Sequence, residues 1–181
     1  DRYGDLFQTE MERLGVYSQV IKKEELHTGS SLILITKDAE RTMNTYLGAC
    51  REFSRDDLDV GKIAHSKILY FTGYMWDTFE QKDAVVYAMH LAKRHGAKII
   101  FDVADPFSVI NSKKEFLKMI REDVDYVFAN EEEAKELFSM SSADAALTEL
   151  MKIGKSGAIK LGAKGSYVFS GKDVHKIEPY K

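Results

Sequence analysis

Short apolar runs alternate with longer amphipathic segments from residue 67 onward. The apolar runs predict strands over residues 68–71, 98–103, 126–129 and 158–161. The segments between and after them predict helices over residues 78–95, 112–122, 131–138 and 142–153. Ser112 and Glu115 have the spacing of a capping box, which favours a helix start at Ser112. Because strands that alternate with helices are typical of βαβ units, the sequence predicts a mainly parallel sheet.

The first third of the chain has a different pattern. Apolar residues at helical spacing, followed by Gly15, predict a helix over residues 5–14. A strand is predicted at 16–21, and the apolar runs at 31–36 and 42–47 flank a polar turn, which is the usual layout of a β hairpin. A second hairpin is predicted from residues 166–177. The early antiparallel piece is therefore an addition to the α/β pattern.

The composition excludes several classes of partner. A chain of 181 residues with 44% hydrophobic and 30% charged residues is long and apolar enough for a folded domain. A formal charge of -3 provides no field that would attract nucleic acid or an acidic membrane surface, so we expect neither partner. The single Cys50 forms no internal disulfide, and no apolar run reaches the roughly 18 residues of a membrane helix. These features predict a cytoplasmic protein.

An acidic turn follows the strand predicted at 126–129. Asn130 is a favoured N-cap and a glutamate in the first turn complements the helix dipole, so Asn130 and Glu133 are also what an ordinary helix start would contain. A cap at the carboxyl end of a parallel strand, however, lies in the crevice where such sheets bind ligands. Both interpretations stay open on the residues alone.

A glycine-containing loop follows the strand predicted at 158–161. Gly162 and Gly165 are compatible with a plain tight turn, or with a loop whose backbone N–H groups approach phosphate oxygens while Lys164 adds charge. A Walker phosphate loop is excluded because Glu149 stands where its first glycine belongs. No Gly-x-Gly-x-x-Gly follows a strand either. The residues alone therefore indicate an α/β domain with an anion site.

Taken together, segments 125–137 and 159–166 resemble the nucleotide and metal site of the ribokinase-like (PfkB) carbohydrate and nucleoside kinases, and most closely the bacterial adenosine-kinase-like branch. The resemblance implies a three-layer α/β sandwich with a mainly parallel sheet and a small β lid. It implies ATP and Mg²⁺ as cofactors, with Asn130 and Glu133 organising Mg²⁺ and its waters. Lys160, Gly162 and Gly165 would contact the nucleotide, although the family usually has a threonine at the position of Lys160.

Segments 28–31 and 39–49 resemble the lid strands of the same branch. The resemblance implies that Ser31, Met43 and Thr45 face the substrate and that Arg41 lies near the transferred phosphoryl group. The alternative is a plain hairpin in which Arg41 is a solvated turn residue. The predicted lid spans 16–49 and the kinase body spans 1–15 and 50–181, with a possible homodimer through the lid.

Segments 71–77 and 102–107 also resemble that branch, although Thr72 replaces an acidic residue. Phe107 would either stack on a purine base or fill the core beneath its loop.

The resemblance implies a small-molecule kinase that phosphorylates a hydroxymethyl group of a nucleoside, with adenosine as the first choice. A sugar kinase of the fructose or ribose type is the alternative within the family, and a ligand-binding module without catalysis is the alternative outside it. The catalytic aspartate motif of the family would follow the last residue of this chain. We therefore expect a middle fragment, incomplete at both ends and inactive by itself.

Overall fold

The computed structural model describes residues 1–180, which divide into two compact units, Asp1–Asp57 and a second unit from Leu58 onward. None of the helices within residues 1–180 combines the length and the apolar composition of a membrane-spanning segment.

The first unit contains one helix and one hairpin. Helix α1 spans Arg2–Arg13, close to the predicted range, and Gly15 follows it with a φ of 72°. The carboxylate of Asp1 caps α1 by accepting from Gly4 N at 3.0 Å, and it also accepts from the backbone N–H and hydroxyl of Thr28. This one side chain therefore joins the start of the helix to the start of the hairpin.

The predicted strand at 16–21 is wrong, because residues 16–23 form no regular structure. Their apolar side chains, including Val16 and Val20, are partly exposed. In the described first unit the hairpin strands pair only with each other, so this segment has no ladder to join.

The predicted hairpin is confirmed. Strands β1 (Ser30–Ile35) and β2 (Arg41–Tyr46) pair in antiparallel register, with Ser31 opposite Thr45 and Ile33 opposite Met43. Every residue of both strands is exposed. An isolated two-stranded hairpin is marginally stable in water, so both faces of this one are suited to contact other surfaces.

The second unit is a six-stranded sheet with helices, as the alternating pattern predicts. The helices are α2 (Val60–His65), α3 (Phe79–Arg94), α4 (Pro106–Glu122), α5 (Glu131–Phe138) and α6 (Ala143–Lys152). The strands are β3 (Ile68–Thr72), β4 (Lys98–Asp102), β5 (Tyr126–Asn130), β6 (Ser156–Lys160), β7 (Ser166–Ser170) and β8 (Asp173–Ile177). Their spatial order follows the chain from β3 to β8. The first four strands are parallel, and β7 and β8 form the predicted antiparallel hairpin.

The core of this unit comes from alternate positions of the central strands. Ile99 and Phe101 of β4 are fully buried, as are Val127 of β5 and Ile159 of β6. They belong to one cluster with the apolar faces of α3 to α6. The ring of Phe101 packs edge-on against Phe116 of α4, with 5.0 Å between centroids. This packing fixes the strand ends on which the candidate site is built.

Helix α4 corrects the predicted helix start at Ser112. The helix begins at Pro106, where the side chain of Asp105 accepts from Phe107 N at 3.1 Å and proline occupies the first turn. Ser112 has non-helical dihedral angles and marks a kink inside the helix. The carboxylate of Glu115 accepts hydrogen bonds from Trp76 Nε1 and Lys82. Those distant partners explain why the predicted box was misleading.

Asp125 joins β4 to β5 at the amino ends of the strands. One carboxylate oxygen accepts from Ile99 N at 2.8 Å and the other from Lys98 Nζ at 3.0 Å. Burial raises the pKa of Asp125, but the hydrogen bond from Ile99 and the pairing with Lys98 lower that pKa by more, so it lies below its usual value.

We predict that Asp125→Asn destabilises the second unit by about 1 kcal/mol at pH 7, because the charged hydrogen bond with Lys98 is lost. A carboxylate with a depressed pKa contributes stability above its unfolded pKa of about 3.9, and this contribution is lost as the pH falls through the folded pKa. The difference between the two proteins should therefore shrink below about pH 4. Urea unfolding followed by the fluorescence of the single Trp76 measures it.

Asp173→Asn, at an exposed position in β8, is the control and should leave stability unchanged. A difference between Asp125→Asn and the unaltered protein that stays constant from pH 7 to pH 3 would contradict the assigned role.

Candidate phosphate and metal site

Polar side chains meet at the carboxyl edge of the parallel strands. Strand β4 ends at Asp102, β5 ends at Asn130 and β6 ends at Lys160. Asn130 lies directly opposite Lys160 in the ladder, and Thr72 at the end of β3 lies opposite Asp102. The crevice outside the carboxyl ends of parallel strands is where such sheets bind ligands. The sequence-predicted Asn130 and Lys160 are therefore neighbours at this edge.

Asn130 and Glu133 form a reciprocal capping box at the junction of β5 and α5. The side-chain oxygen of Asn130 accepts from Glu133 N at 2.8 Å. In return, Glu133 Oε2 accepts from Asn130 N at 2.7 Å, and Oε1 accepts from Asn130 Nδ2 at 2.6 Å. The structure thus confirms the helix-start geometry that the residues indicate. It also fixes both side chains at the edge of the crevice.

Glu133 is a buried carboxylate, with only 2% of its surface exposed. Burial raises its pKa above the usual value, and the charges of Asp102 and Asp105 act in the same direction. The hydrogen bond from Asn130 N and the charge of Lys160 oppose this rise. Keeping the carboxylate of Glu133 charged therefore costs free energy, and an additional cation nearby would reduce that cost.

The carboxylate oxygens of Glu133 are compatible with contact to a water of a hydrated Mg²⁺ ion. Among residues 1–180, no cluster of three or more histidine, cysteine, aspartate or glutamate side chains has the geometry to hold a metal. Each oxygen of Glu133 accepts one hydrogen bond from Asn130, which leaves lone pairs for a water molecule. Because Mg²⁺ usually retains several of its waters, this geometry suits the predicted role of the pair.

The glycine loop after β6 is a single 3₁₀ turn, Gly162–Lys164. Leu161 N donates to Gly165 O at 2.8 Å, and Gly165 N donates to Gly162 O at 3.1 Å, so the loop is closed on itself. Lys164 Nζ lies 3.6 Å from Glu131 Oε2, which brings the loop beside the first turn of α5. The predicted residues Gly162 and Gly165 thus lie on the same side of the unit as Asn130.

The two glycines are required for different reasons. Gly165 has a φ of 89°, and a Cβ there would lie 1.9 Å from the carbonyl oxygen of Ile177 in β8. Gly162 has a φ of 59°, but a Cβ there would meet nothing within 4 Å. Gly165 is therefore demanded by chain packing, whereas at Gly162 the open space leaves room for a ligand to approach the backbone.

Phe107 lies in the first turn of α4, on the loop that follows β4. It is 69% exposed, so the alternative that it fills the core is wrong. An exposed ring at the carboxyl edge is available to stack on a ligand.

Tyr74 and Asp102 also lie at this edge, although no sequence motif predicted a functional role for either residue. Tyr74 follows β3 and donates from its hydroxyl to Ala104 O at 3.4 Å. Burial raises the pKa of Tyr74, and so do the charges of Asp105, Glu133 and Asp102. The signal that could have identified both residues is their position at the carboxyl end of a strand, Asp102 as the last residue of β4 and Tyr74 in the turn that follows β3.

The predicted substrate residues of the hairpin lie on one face of the first unit. Ser31 and Thr45 are directly opposite and therefore share a face. Met43 and Arg41 lie two and four residues before Thr45 in β2, so their side chains lie on the same face. Ser31 Oγ lies 2.9 Å from Thr45 Oγ1, in agreement with that register. We call this face of the hairpin, which also carries Ile33 and Ile35, the inner face.

A family model and the most similar solved structures that we compared all describe kinases of sugars or nucleosides. A model described as pfkB family carbohydrate kinase matches residues 1–181. A search of curated protein sequences finds no match. Among solved structures, an adenosine kinase from Sinorhizobium meliloti is 36% identical with a TM-score of 0.95. A protein from Rhizobium etli CFN 42 described as a probable sugar kinase is 33% identical with a TM-score of 0.95.

Each of these two matches covers 100% of this chain and 56% of the other chain, so this chain spans about half the length of those relatives. A third structure, from E. coli, is assigned as a ribokinase II and contains ATP and Mg²⁺. It is 22% identical with a TM-score of 0.86, and the match covers 100% of this chain and 60% of that one. The predicted ribokinase-like α/β fold is confirmed.

We predict that Gly165→Ala destabilises the second unit by roughly 2–4 kcal/mol, because both the backbone angle and the contact with Ile177 O forbid a Cβ. Gly162→Ala should cost only about 1 kcal/mol, since its strain comes from the backbone angle alone. Urea unfolding of the two variants measures the difference. Equal losses would contradict the distinction between the two glycines.

Proposed function

Because this chain belongs to the pfkB family of carbohydrate kinases, we propose that its protein transfers the γ-phosphoryl group of ATP to a hydroxymethyl group of a nucleoside or sugar. The observation that carries the proposal is the meeting of Asn130, Glu133 and the Gly162 loop at one edge of the parallel sheet. This edge offers a buried carboxylate for a hydrated cation and, beside Gly162, open space in which phosphate could approach the backbone. Both are what phosphoryl transfer requires.

The residues of this chain would position the phosphates and balance their charge. Mg²⁺, when bound, would neutralise charge on the transferred group. Glu133 would hold a water of its hydration shell, and Asn130 keeps that carboxylate in place by donating two hydrogen bonds to it, from its backbone N and from Nδ2. Backbone N–H groups near Gly162 and the ammonium group of Lys164 would face the phosphate oxygens. The guanidinium group of Arg41, on the inner face of the hairpin, would also balance the charge of the phosphates.

Adenosine is the acceptor that we propose first. The exposed ring of Phe107 suits a purine, and the inner face offers Ser31 and Thr45 as hydrogen-bonding groups with Met43 as an apolar contact. The relative from S. meliloti is named an adenosine kinase, which supports the same choice. The relative named a sugar kinase supports the alternative acceptor class.

Acceptor-dependent formation of ADP by the whole protein, of which this chain is a part, tests this proposal. In the presence of ATP and Mg²⁺, we expect adenosine to stimulate ADP formation more than ribose or fructose. Preference for a sugar would move the acceptor to the alternative class. Binding of ATP without any stimulation by these acceptors would instead favour a ligand-binding module without catalysis.

We predict that Glu133→Gln raises the Mg²⁺ concentration needed for half-maximal turnover by roughly tenfold to a hundredfold. The substitution removes the negative charge that would hold the hydrated ion. It also places an amide N–H₂ donor against Asn130 Nδ2, itself a donor, so the side chain at position 133 would reorient. The Mg²⁺ dependence of turnover by the whole protein measures this. Glu132→Gln is the matched control, because Glu132 is an exposed neighbour outside the capping box. Equal effects of the two substitutions would mean that only diffuse negative charge matters here.

We predict that Phe107→Leu weakens the binding of adenosine and raises its apparent KM about tenfold, since stacking on a base contributes roughly 1–3 kcal/mol. The constant for ATP should stay nearly unchanged. Initial-rate kinetics of the whole protein, with each ligand varied in turn, measure both constants. Ile110→Val, at an exposed position further along α4, is the control. An unchanged adenosine constant would remove Phe107 from the acceptor site.

We also propose that the hairpin serves as a lid over the acceptor and that two copies of the chain associate through it. The lid boundaries at 16–49 stay a prediction. The face opposite the inner face exposes Leu32, Leu34 and Tyr46, and we call it the outer face. Large exposed apolar side chains on a two-stranded sheet favour burial against another surface.

If the outer face forms a homodimer, the double substitution Leu32→Asp with Leu34→Asp should convert a dimer into a monomer, because it places charges in an apolar interface. Sedimentation velocity of both proteins measures the oligomeric state. Lys37→Asp, in the exposed turn of the hairpin, should leave the dimer intact. A monomeric unaltered protein would contradict the proposed dimer.

A further inference from the structure

Lys160 spans the carboxyl edge of the sheet. Strand β5 lies between β4 and β6, and yet Lys160 Nζ at the end of β6 lies 3.8 Å from Asp102 Oδ2 at the end of β4. The lysine therefore crosses the end of β5, where Asn130 is its direct partner in the ladder. Its charge also acts on Glu133. One cation thus lies among the groups that we assign to the phosphate and metal site.

The two partners of this ion pair are held very differently. Asp102 is anchored, because Oδ1 accepts from Ala104 N at 3.2 Å and Oδ2 accepts from the hydroxyl of Tyr70 at 3.3 Å. The side chain of Asp102 is 19% exposed, whereas that of Lys160 is 57% exposed. A distance of 3.8 Å is too long for a direct hydrogen bond. The lysine is therefore the partner that can move, at little cost, since exposed ion pairs contribute weakly to stability.

The charge around this pair is mostly negative. Asp102, Asp105 and Glu133 act together, because the charges of both aspartates raise the pKa of Glu133. A polyphosphate that enters this edge needs cations. Lys160 would make a stronger interaction with phosphate oxygens than with Asp102, because a charged hydrogen bond of normal length replaces a long ion pair.

We propose that Asp102 is an internal counter-ion that competes with the phosphates of the nucleotide for Lys160. In the ligand-free protein Lys160 rests against Asp102, and on binding it turns to the phosphate. This inference rests on the proposed function, because it assumes that a nucleotide binds at this edge. It assigns to Asp102 a role in setting nucleotide affinity without contact with the nucleotide.

Two substitutions should change nucleotide affinity in opposite directions. Asp102→Asn keeps an acceptor for Ala104 N but removes the charge that holds Lys160, so ATP should bind about threefold to fivefold more tightly. Lys160→Met removes the cation and should weaken binding roughly tenfold. Isothermal titration of ATP with Mg²⁺, and of inorganic tripolyphosphate, measures both effects. Tripolyphosphate should show the same pattern, since the competition involves phosphate and not the base.

The combination of the two substitutions separates competition from general repulsion. If Asp102 acts through Lys160, Asp102→Asn should have no effect when residue 160 is already methionine. If Asp102 merely repels phosphate, Asp102→Asn should tighten binding equally in the unaltered protein and in the Lys160→Met variant, and the proposal is then wrong. Glu132→Gln, which neutralises an exposed carboxylate on α5, should leave affinity nearly unchanged, and tightening equal to that of Asp102→Asn would also overturn the proposal.

The same titrations distinguish a failure of this inference from a failure of the proposed function. ATP binding that is unaffected by Lys160→Met leaves the nucleotide site in place and overturns only the role of the ion pair. If the unaltered protein binds neither ATP nor tripolyphosphate, the proposed function and the inference are both wrong.

Discussion

The reciprocal capping box between Asn130 and Glu133 is the interaction on which the candidate site depends. It places a carboxylate in a nearly inaccessible position at the end of a parallel strand, and it provides three hydrogen bonds that hold both side chains. A buried carboxylate is costly unless it is hydrogen-bonded and its charge is balanced. The capping box supplies the hydrogen bonds, and a hydrated cation would complete the balance. The same residues thus start a helix and define a site.

The surroundings of this pair are built from neighbouring strand ends. Asp102, Asn130 and Lys160 are far apart in sequence, but the parallel order of β4, β5 and β6 brings them to one edge. The core beneath the edge, with Phe101 packed against Phe116, keeps those ends in register. The function that we propose follows from this edge and from family membership, while the choice of acceptor depends on exposed groups such as Phe107.

Local features of the sequence predicted much of this structure. The alternation of strands and helices predicted the parallel sheet, and Asn130 with a glutamate in the following turn predicted a helix start, which the structure confirms. The same kind of spacing at Ser112 misled, because Asp105 and Pro106 start the helix earlier and Glu115 is engaged by Trp76. Contacts between residues that are distant in sequence were not predicted, because no local pattern of residues encodes them. The need for glycine at 165 comes from a carbonyl in β8, and the Lys160 ion pair crosses an intervening strand.

Hydrogen exchange of backbone amides with and without ATP and Mg²⁺ tests the central claim most directly, because it reports where the ligand binds without requiring turnover. If the carboxyl edge is the nucleotide site, ATP with Mg²⁺ should slow exchange in peptides that contain Asn130 to Glu133 and in those that contain Lys160 to Gly165. Peptides from the opposite end of the strands, around Asp125, should be unaffected. Protection confined to other parts of the chain, with no change at these two segments, would contradict the account.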